Sequence, residues 1–160
     1  MKAKEFLKQL KKLDCMIENK IIEKEQWKSI AEGTGMNSEG ERVQSSGSQQ
    51  KMADAVNRYV DIEKEIDRFI DRLIDTKKDV ISVIEQLNAT EYDFLHKVYV
   101  QYLTLDDVAD MYDKSHSWAI TTHGRALQKV QRILDERELR RIEYMAMMKP
   151  FEKVTETDQK

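Results

Sequence analysis

Phe6, Leu10, Leu13, Ile17 and Ile21 recur at spacings of three and four residues, with Lys8, Lys11, Lys12 and Glu18 between them. That period predicts an amphipathic helix over 3–32, whose stripe Trp27 and Ile30 extend in a drifting register. Gly33 and Gly35 stop it. Four of the five glycines fall between Gly33 and Gly47 alongside Ser38, Ser45, Ser46 and Ser48, which predicts a loop over 33–50. From Met52 the pattern changes to a strict heptad. Met52, Tyr59, Ile66, Leu73, Val80 and Leu87 recur every seven residues, and Ala55, Ile62, Phe69, Thr76 and Val83 stand three further on. Only Thr76 interrupts the apolar seam. A seven-residue repeat sustained this far predicts a helix of about 50 Å packed along its length on another helix. The loop lets the chain turn, so the first helix is the expected antiparallel partner. The second helix is the longer, and a second copy is expected to cover the surplus seam.

Beyond Leu87 the segments shorten. Asn88 or Thr90 is placed to cap a helix carrying Glu91 and Asp93 in its first turn, where negative charge is favoured. Tyr92, Leu95, Val98, Tyr99 and Tyr102 are its expected inner face. Thr104 is a good N-cap for the next helix, with Asp106 and Asp107 just inside it and Leu105, Val108, Ala109 and either Met111 or Tyr112 buried. Asp113, Lys114 and Ser115 break that helix, and Ser115 caps a last one from His116 to Met148. Ala119, Thr122 or His123, Ala126 and Val130 are its inward positions. Pro150 is expected to end it, leaving 149–160 as a polar, disordered tail. The fold class is all-α, with a coiled-coil-like helical hairpin over 1–88 and a helix-turn-helix over 89–148.

Composition narrows the chemistry. The chain has 160 residues, 36% of them charged, with one proline and one cysteine, a balance that suits long helices and disfavours sheets. A single cysteine, Cys15, forms no internal disulfide, and the N-terminus lacks the apolar core of a secretory signal, so a reducing cytoplasm is the expected compartment. No stretch approaches the length of a membrane span. The net charge of −3 hides a polarised second half. Asp106, Asp107, Asp110 and Asp113 are followed by a segment, 114–141, that holds seven cations against Asp135, Glu136 and Glu138. No phosphate-binding loop, paired carboxylates or nucleophile–base arrangement stands out, so neither catalysis nor a cofactor is expected. His116 and His123 are seven apart and do not chelate one ion across a single turn, which argues against a metal site.

The stretch 103–130 has the grammar of a helix-turn-helix: a short capped helix, a small residue (Ala109) where helices cross, a turn, and a second helix ending in cations. It resembles region four, the DNA-binding end, of bacterial sigma factors. The residues that carry the likeness are Leu103-Thr104-Leu105-Asp106-Asp107-Val108-Ala109, Ser115, and Arg125-Ala126-Leu127-Gln128-Lys129-Val130. The chain differs in having His116, Ser117, Trp118 and Thr121 where that family carries arginines, Glu and Gln, and Gly124 where Ala is usual. The whole chain is also similar to small phage and prophage proteins of Gram-positive bacteria, of ArpU and RinA type. Lys12-Leu13-Asp14-Cys15-Met16-Ile17, 42–53, 80–87 and His123-Gly124-Arg125-Ala126-Leu127 carry that wider likeness. It implies a regulator of late phage transcription.

From these features the expected function is a sequence-specific, dimeric DNA-binding regulator in the bacterial host cytoplasm. His116, Ser117, Trp118 and Thr121 are expected to read bases, and Lys114, Arg125, Lys129 and Arg132 to hold phosphates. Each feature also has a plainer reading. Trp118 packs against Leu105 or Val108; His123 is a surface histidine; the cations form a solvated face paired with Asp135, Glu136 and Glu138. The alternative function is an interaction protein that reads no DNA and binds RNA polymerase or another phage component through its helices and the acidic 106–113 segment.

Overall fold

The computed structural model describes residues 1–32 and 46–155, and for 46–49 and 149–155 the backbone alone. Five helices and no strand occur among them: α1 (Ala3–Ala31), α2 (Ser46–Ile84), α3 (Ala89–Tyr99), α4 (Leu105–Met111) and α5 (His116–Thr155). The chain is all-α, and no helix among the described residues is long and apolar enough to cross a membrane. Residues 33–45 of the expected loop lie outside the described residues. α2 begins at Ser46, inside the expected loop. α5 continues through Pro150 to Thr155 instead of stopping at Met148. A proline removes one backbone donor and crowds the preceding turn without abolishing the remaining hydrogen bonds.

The chain divides into two compact units, Gln9–Lys78 and Met1–Lys8 with Asp79–Lys160. In the first, Leu10 and Leu13 are buried on α1 and Ala55, Ile62 and Ile66 on α2. Ion pairs join the helices in antiparallel register: Lys20 to Glu65 (2.9 Å), Lys24 to Glu63 (2.8 Å) and Glu23 to Arg58 (3.1 Å). Lys24 also lies 5.0 Å from the centre of the Tyr59 ring. These pairs are largely solvent-facing and add little individually; the buried seam supplies the adhesion. The heptad register is respected throughout α2, where every seam position from Ala55 to Val83 is buried or half-buried and only Met52 is exposed. On α1 the stripe departs from expectation. Leu7 is fully buried, whereas Ile21 and Ile30 are 46% exposed, since a helix of 3.6 residues per turn drifts away from positions spaced by four.

The seam does not run out into solvent at its far end. Val80, Val83 and Ile84 are fully buried within the second unit, so this part of the seam, which a second copy could have covered, is covered within the chain. Arg137 fastens the same stretch, donating to Asp79 at 2.8 Å and to the Ser82 hydroxyl at 2.9 Å. The chain's first residues join this unit as well: the backbone N–H of Ala3 donates to Gln131 Oε1 at 2.7 Å.

Ile62→Ala is expected to lower unfolding free energy by about 2–4 kcal/mol through lost burial and the cavity left behind. Met52→Ala, at the exposed end of the same seam, is expected to change it by no more than about 0.5 kcal/mol. Urea denaturation of the two variants side by side checks both.

Candidate nucleic-acid interface

Three short-range devices set the second unit's local geometry. Asn88 caps α3 by accepting from the Glu91 N–H at 2.9 Å. Thr104 and Asp107 form a reciprocal capping box on α4, the Asp107 N–H donating to Thr104 Oγ1 at 3.2 Å and the Thr104 N–H to Asp107 at 2.9 Å. Hydrogen bonding to Thr104 holds the Asp107 carboxyl below its ordinary pKa. α4 then stops in a Schellman turn: Asp113 takes a left-handed φ of 51°, Lys114 N–H donates to Ala109 O at 2.9 Å and Asp113 N–H to Asp110 O at 3.1 Å. Two residues later α5 begins, with the Trp118 N–H reaching Ser115 Oγ at 3.3 Å. Val108 and Ala109 on α4 and Ala119, Ala126 and Val130 on α5 are buried, and their small size lets neighbouring helices approach.

Aromatic packing joins α3, α4 and α5. Phe94, fully buried, meets Trp118 edge-on with ring centres 5.7 Å apart, and Trp118 in turn lies 5.2 Å from Tyr112. The Tyr112 hydroxyl donates to Asp93, which also receives Lys97. Those two donors, Lys97 first, hold the Asp93 carboxyl below its ordinary range, while burial and then Asp93 push the Tyr112 phenol up to about 12. His123 also meets Phe94, at 6.3 Å between ring centres; it stacks on Tyr99, and its Nε2 lies 2.9 Å from the Tyr99 hydroxyl. Burial, and then Lys4, lower the His123 pKa; burial raises Tyr99 to about 12. His123 is therefore not the surface histidine of the plainer sequence reading.

With Ala119, His123, Ala126 and Val130 turned inward, the opposite face of α5 is set by helical geometry. Ser117, Ile120, Thr121, Arg125, Gln128 and Arg132 are exposed along it, with half-buried Gly124 in its middle. Three of the expected contact residues do not simply present themselves to a ligand. Trp118 is half-buried in the aromatic cluster, where its ring meets those of Phe94 and Tyr112. Lys129 lies on the flank and clasps Glu91 at 2.7 and 2.8 Å; Glu91 is 8% exposed and needs that counter-charge. His116 pairs through Nδ1 with Asp106. By contrast Lys114, Arg125 and Arg132 are exposed and have no ion-pair partner among the described residues, and Ser117 and Thr121 stand on the outward strip. The Thr121 hydroxyl donates to Ser117 O at 2.9 Å and keeps its oxygen free to accept.

Ile120, Gly124 and Gln128 complete the strip; the sequence marks Gly124 as a departure from the sigma pattern but names none of the three as a contact residue. Their signal was available: they follow Ser117 at three, seven and eleven residues, the spacing of one helix face. A Cβ built on Gly124 would meet nothing within 4 Å, so that glycine answers no packing demand inside this chain. No group of three or more His, Cys, Asp or Glu side chains suited to a metal occurs among the described residues. Comparison of the chain with family models, curated proteins and solved structures finds no match.

Because protonated His123 is disfavoured in the folded state, the unfolded chain takes up the proton first. Stability is expected to be full above the ordinary histidine value of 6.5 and to fall as pH drops below it, and His123→Gln is expected to flatten that part of a melting-temperature profile against pH. Gly124→Ala fills open space in a helix interior and is expected to stabilise by about 0.5–1 kcal/mol in chemical denaturation.

Proposed function

We propose that the chain is a sequence-specific DNA-binding regulator of transcription of the phage type, in which α4, the turn and α5 act as a helix-turn-helix and α5 enters a major groove. The outward strip of α5 carries this reading. Its centre is uncharged and small or hydrogen-bonding (Ser117, Thr121, Gly124, Gln128), one edge bears unpaired Arg125 and Arg132 and the other Ile120, and Lys114 precedes it. Base edges lie deep in a groove and phosphates along its rims, so an uncharged centre bordered by cations is the distribution that a groove-reading helix needs. Hydroxyls of Ser117 and Thr121 can bond to base edges, and the Gln128 amide can pair with an adenine edge in two places. In this reading Trp118 and Lys129 act by holding α5 to α3, and the likeness to sigma region four and to ArpU- and RinA-type proteins supplies the regulatory role.

The second reading is an interaction protein that reads no DNA and binds RNA polymerase or another phage component. Asp106, Asp107, Asp110 and Asp113, all exposed beside the strip, favour it, because their charge repels phosphate. Selection from random duplex DNA separates the readings: an enriched motif supports the regulator, and flat enrichment the interaction protein.

On selected DNA, Arg125→Ala and Arg132→Ala are each expected to weaken binding to all sequences and to reduce the slope of log affinity against log salt by about 0.9. Ser117→Ala, Thr121→Ala and Gln128→Ala are expected to leave that slope unchanged and to relax preference at particular base pairs, by about 1–3 kcal/mol for a bidentate contact. Lys129→Ala is expected to lower folding stability, by about 1–3 kcal/mol, since it strands the buried Glu91 carboxylate. Fluorescence anisotropy at several salt concentrations and thermal melts distinguish the three responses.

A further inference from the structure

α2 carries a second apolar stripe that its seam does not use. Val56, Val60, Ile70 and Ile74 are 46%, 38%, 40% and 46% exposed, and they share a face about 100° around the helix from the seam. Glu63 and Asp67 stand between them on the same face. The order along the stripe is symmetric about residue 65. Val56 precedes it by as many residues as Ile74 follows it; the same holds for Val60 and Ile70, and for Glu63 and Asp67.

We propose that this face of α2 is a two-fold interface at which a second copy of the chain docks, the two α2 helices antiparallel with residue 65 level with the axis. An isologous contact requires a patch that is complementary to itself after rotation. Here the rotation lays Val56 against the partner's Ile74 and Val60 against the partner's Ile70, twice each. The centre is polar but not unbalanced. Glu63 is already neutralised by Lys24 within its own chain, at 2.8 Å. Asp67 then meets Lys64 of the partner subunit, which lies one residue from the position facing it. Lys64 is free to turn, being held in its own chain only by a solvent-exposed contact of 3.8 Å with Asp61. A foreign partner would place no symmetry on the stripe; a second copy does. The interface uses neither the seam nor α5, so it stands apart from the DNA reading and is tested without DNA.

Sedimentation of the full chain is expected to show a dimer. Ile70→Glu and Val60→Glu change exposed positions, so melting of the fold by circular dichroism should persist while the dissociation constant rises by at least about a hundredfold, each substitution entering the interface twice. Lys64→Glu is expected to weaken the dimer, and adding Asp67→Lys to it to restore the dimer. In a Cys15→Ser background, mixing chains bearing Val60→Cys with chains bearing Ile70→Cys should give mixed cross-linked dimers in preference to either homodimer. A monomer at all accessible concentrations, a dimer indifferent to Ile70→Glu, or preferential cross-linking of Val60→Cys chains to one another overturns the proposal.

Discussion

The contact of Trp118 with Phe94 and Tyr112 decides what α5 shows to solvent. An indole buried even in part contributes more area than any other side chain near the start of α5, and its burial fixes the rotation of the helix about its axis. Once Trp118 turns towards α3 and α4, helical geometry assigns Ala119, His123, Ala126 and Val130 to the core and Ser117, Thr121, Gly124 and Gln128 to the outside. The same contact brings Tyr112, the residue that ends α4, against α5, so the angle between these helices rests on it as well as on the Schellman turn at Asp113.

The electrostatics follow from that rotation. Lys129 is placed on the flank facing α3, within 2.7 Å of Glu91, whose carboxylate sits in the first turn of α3, where unsatisfied backbone donors favour it. A carboxylate this buried is tolerable only with a partner, so one of the four expected phosphate contacts becomes a structural counter-ion. Arg125, four residues earlier and one turn away, escapes that duty. Two cations on one helix thus divide between folding and surface roles through a rotation of roughly 40°.

Legibility varied with the length of the pattern. The heptad of α2 was readable from Ala55 to Val83, because its period is repeated often enough that one exception, Thr76, leaves the register unaltered. Caps were readable too: Asn88, Thr104 and Ser115 each do what their side chains suit them for. The short helices were less transparent. In α3 the expected inner face runs through Tyr92, Leu95, Val98, Tyr99 and Tyr102; Leu95 and Tyr99 are buried, but Phe94, outside that set, is fully buried and Tyr92 only half-buried. Tyr92, Phe94 and Leu95, crowded within one turn, do not define a face by period alone, and Trp118, arriving from a distant part of the chain, packs on Phe94. Glu91 and Lys129, thirty-eight residues apart, form a pair that no local spacing announces.

His123 shows the same limit from another side. By sequence it is one of two histidines on a helix near cations, which suggested either a surface residue or an inward position. The fold gives it a stacked Tyr99 and a hydroxyl at 2.9 Å, and a half-buried imidazole so placed is favoured neutral. A neutral ring both fills the space beside Phe94 and satisfies the Tyr99 hydroxyl, which an aliphatic side chain would leave stranded. Packing at this point therefore uses a polar residue for an apolar task, and the outward strip of α5 gains a firm backing that carries no charge of its own. The cations that border the strip then meet no charge from His123 beneath, and the exposed aspartates of 106–113 supply an opposing field.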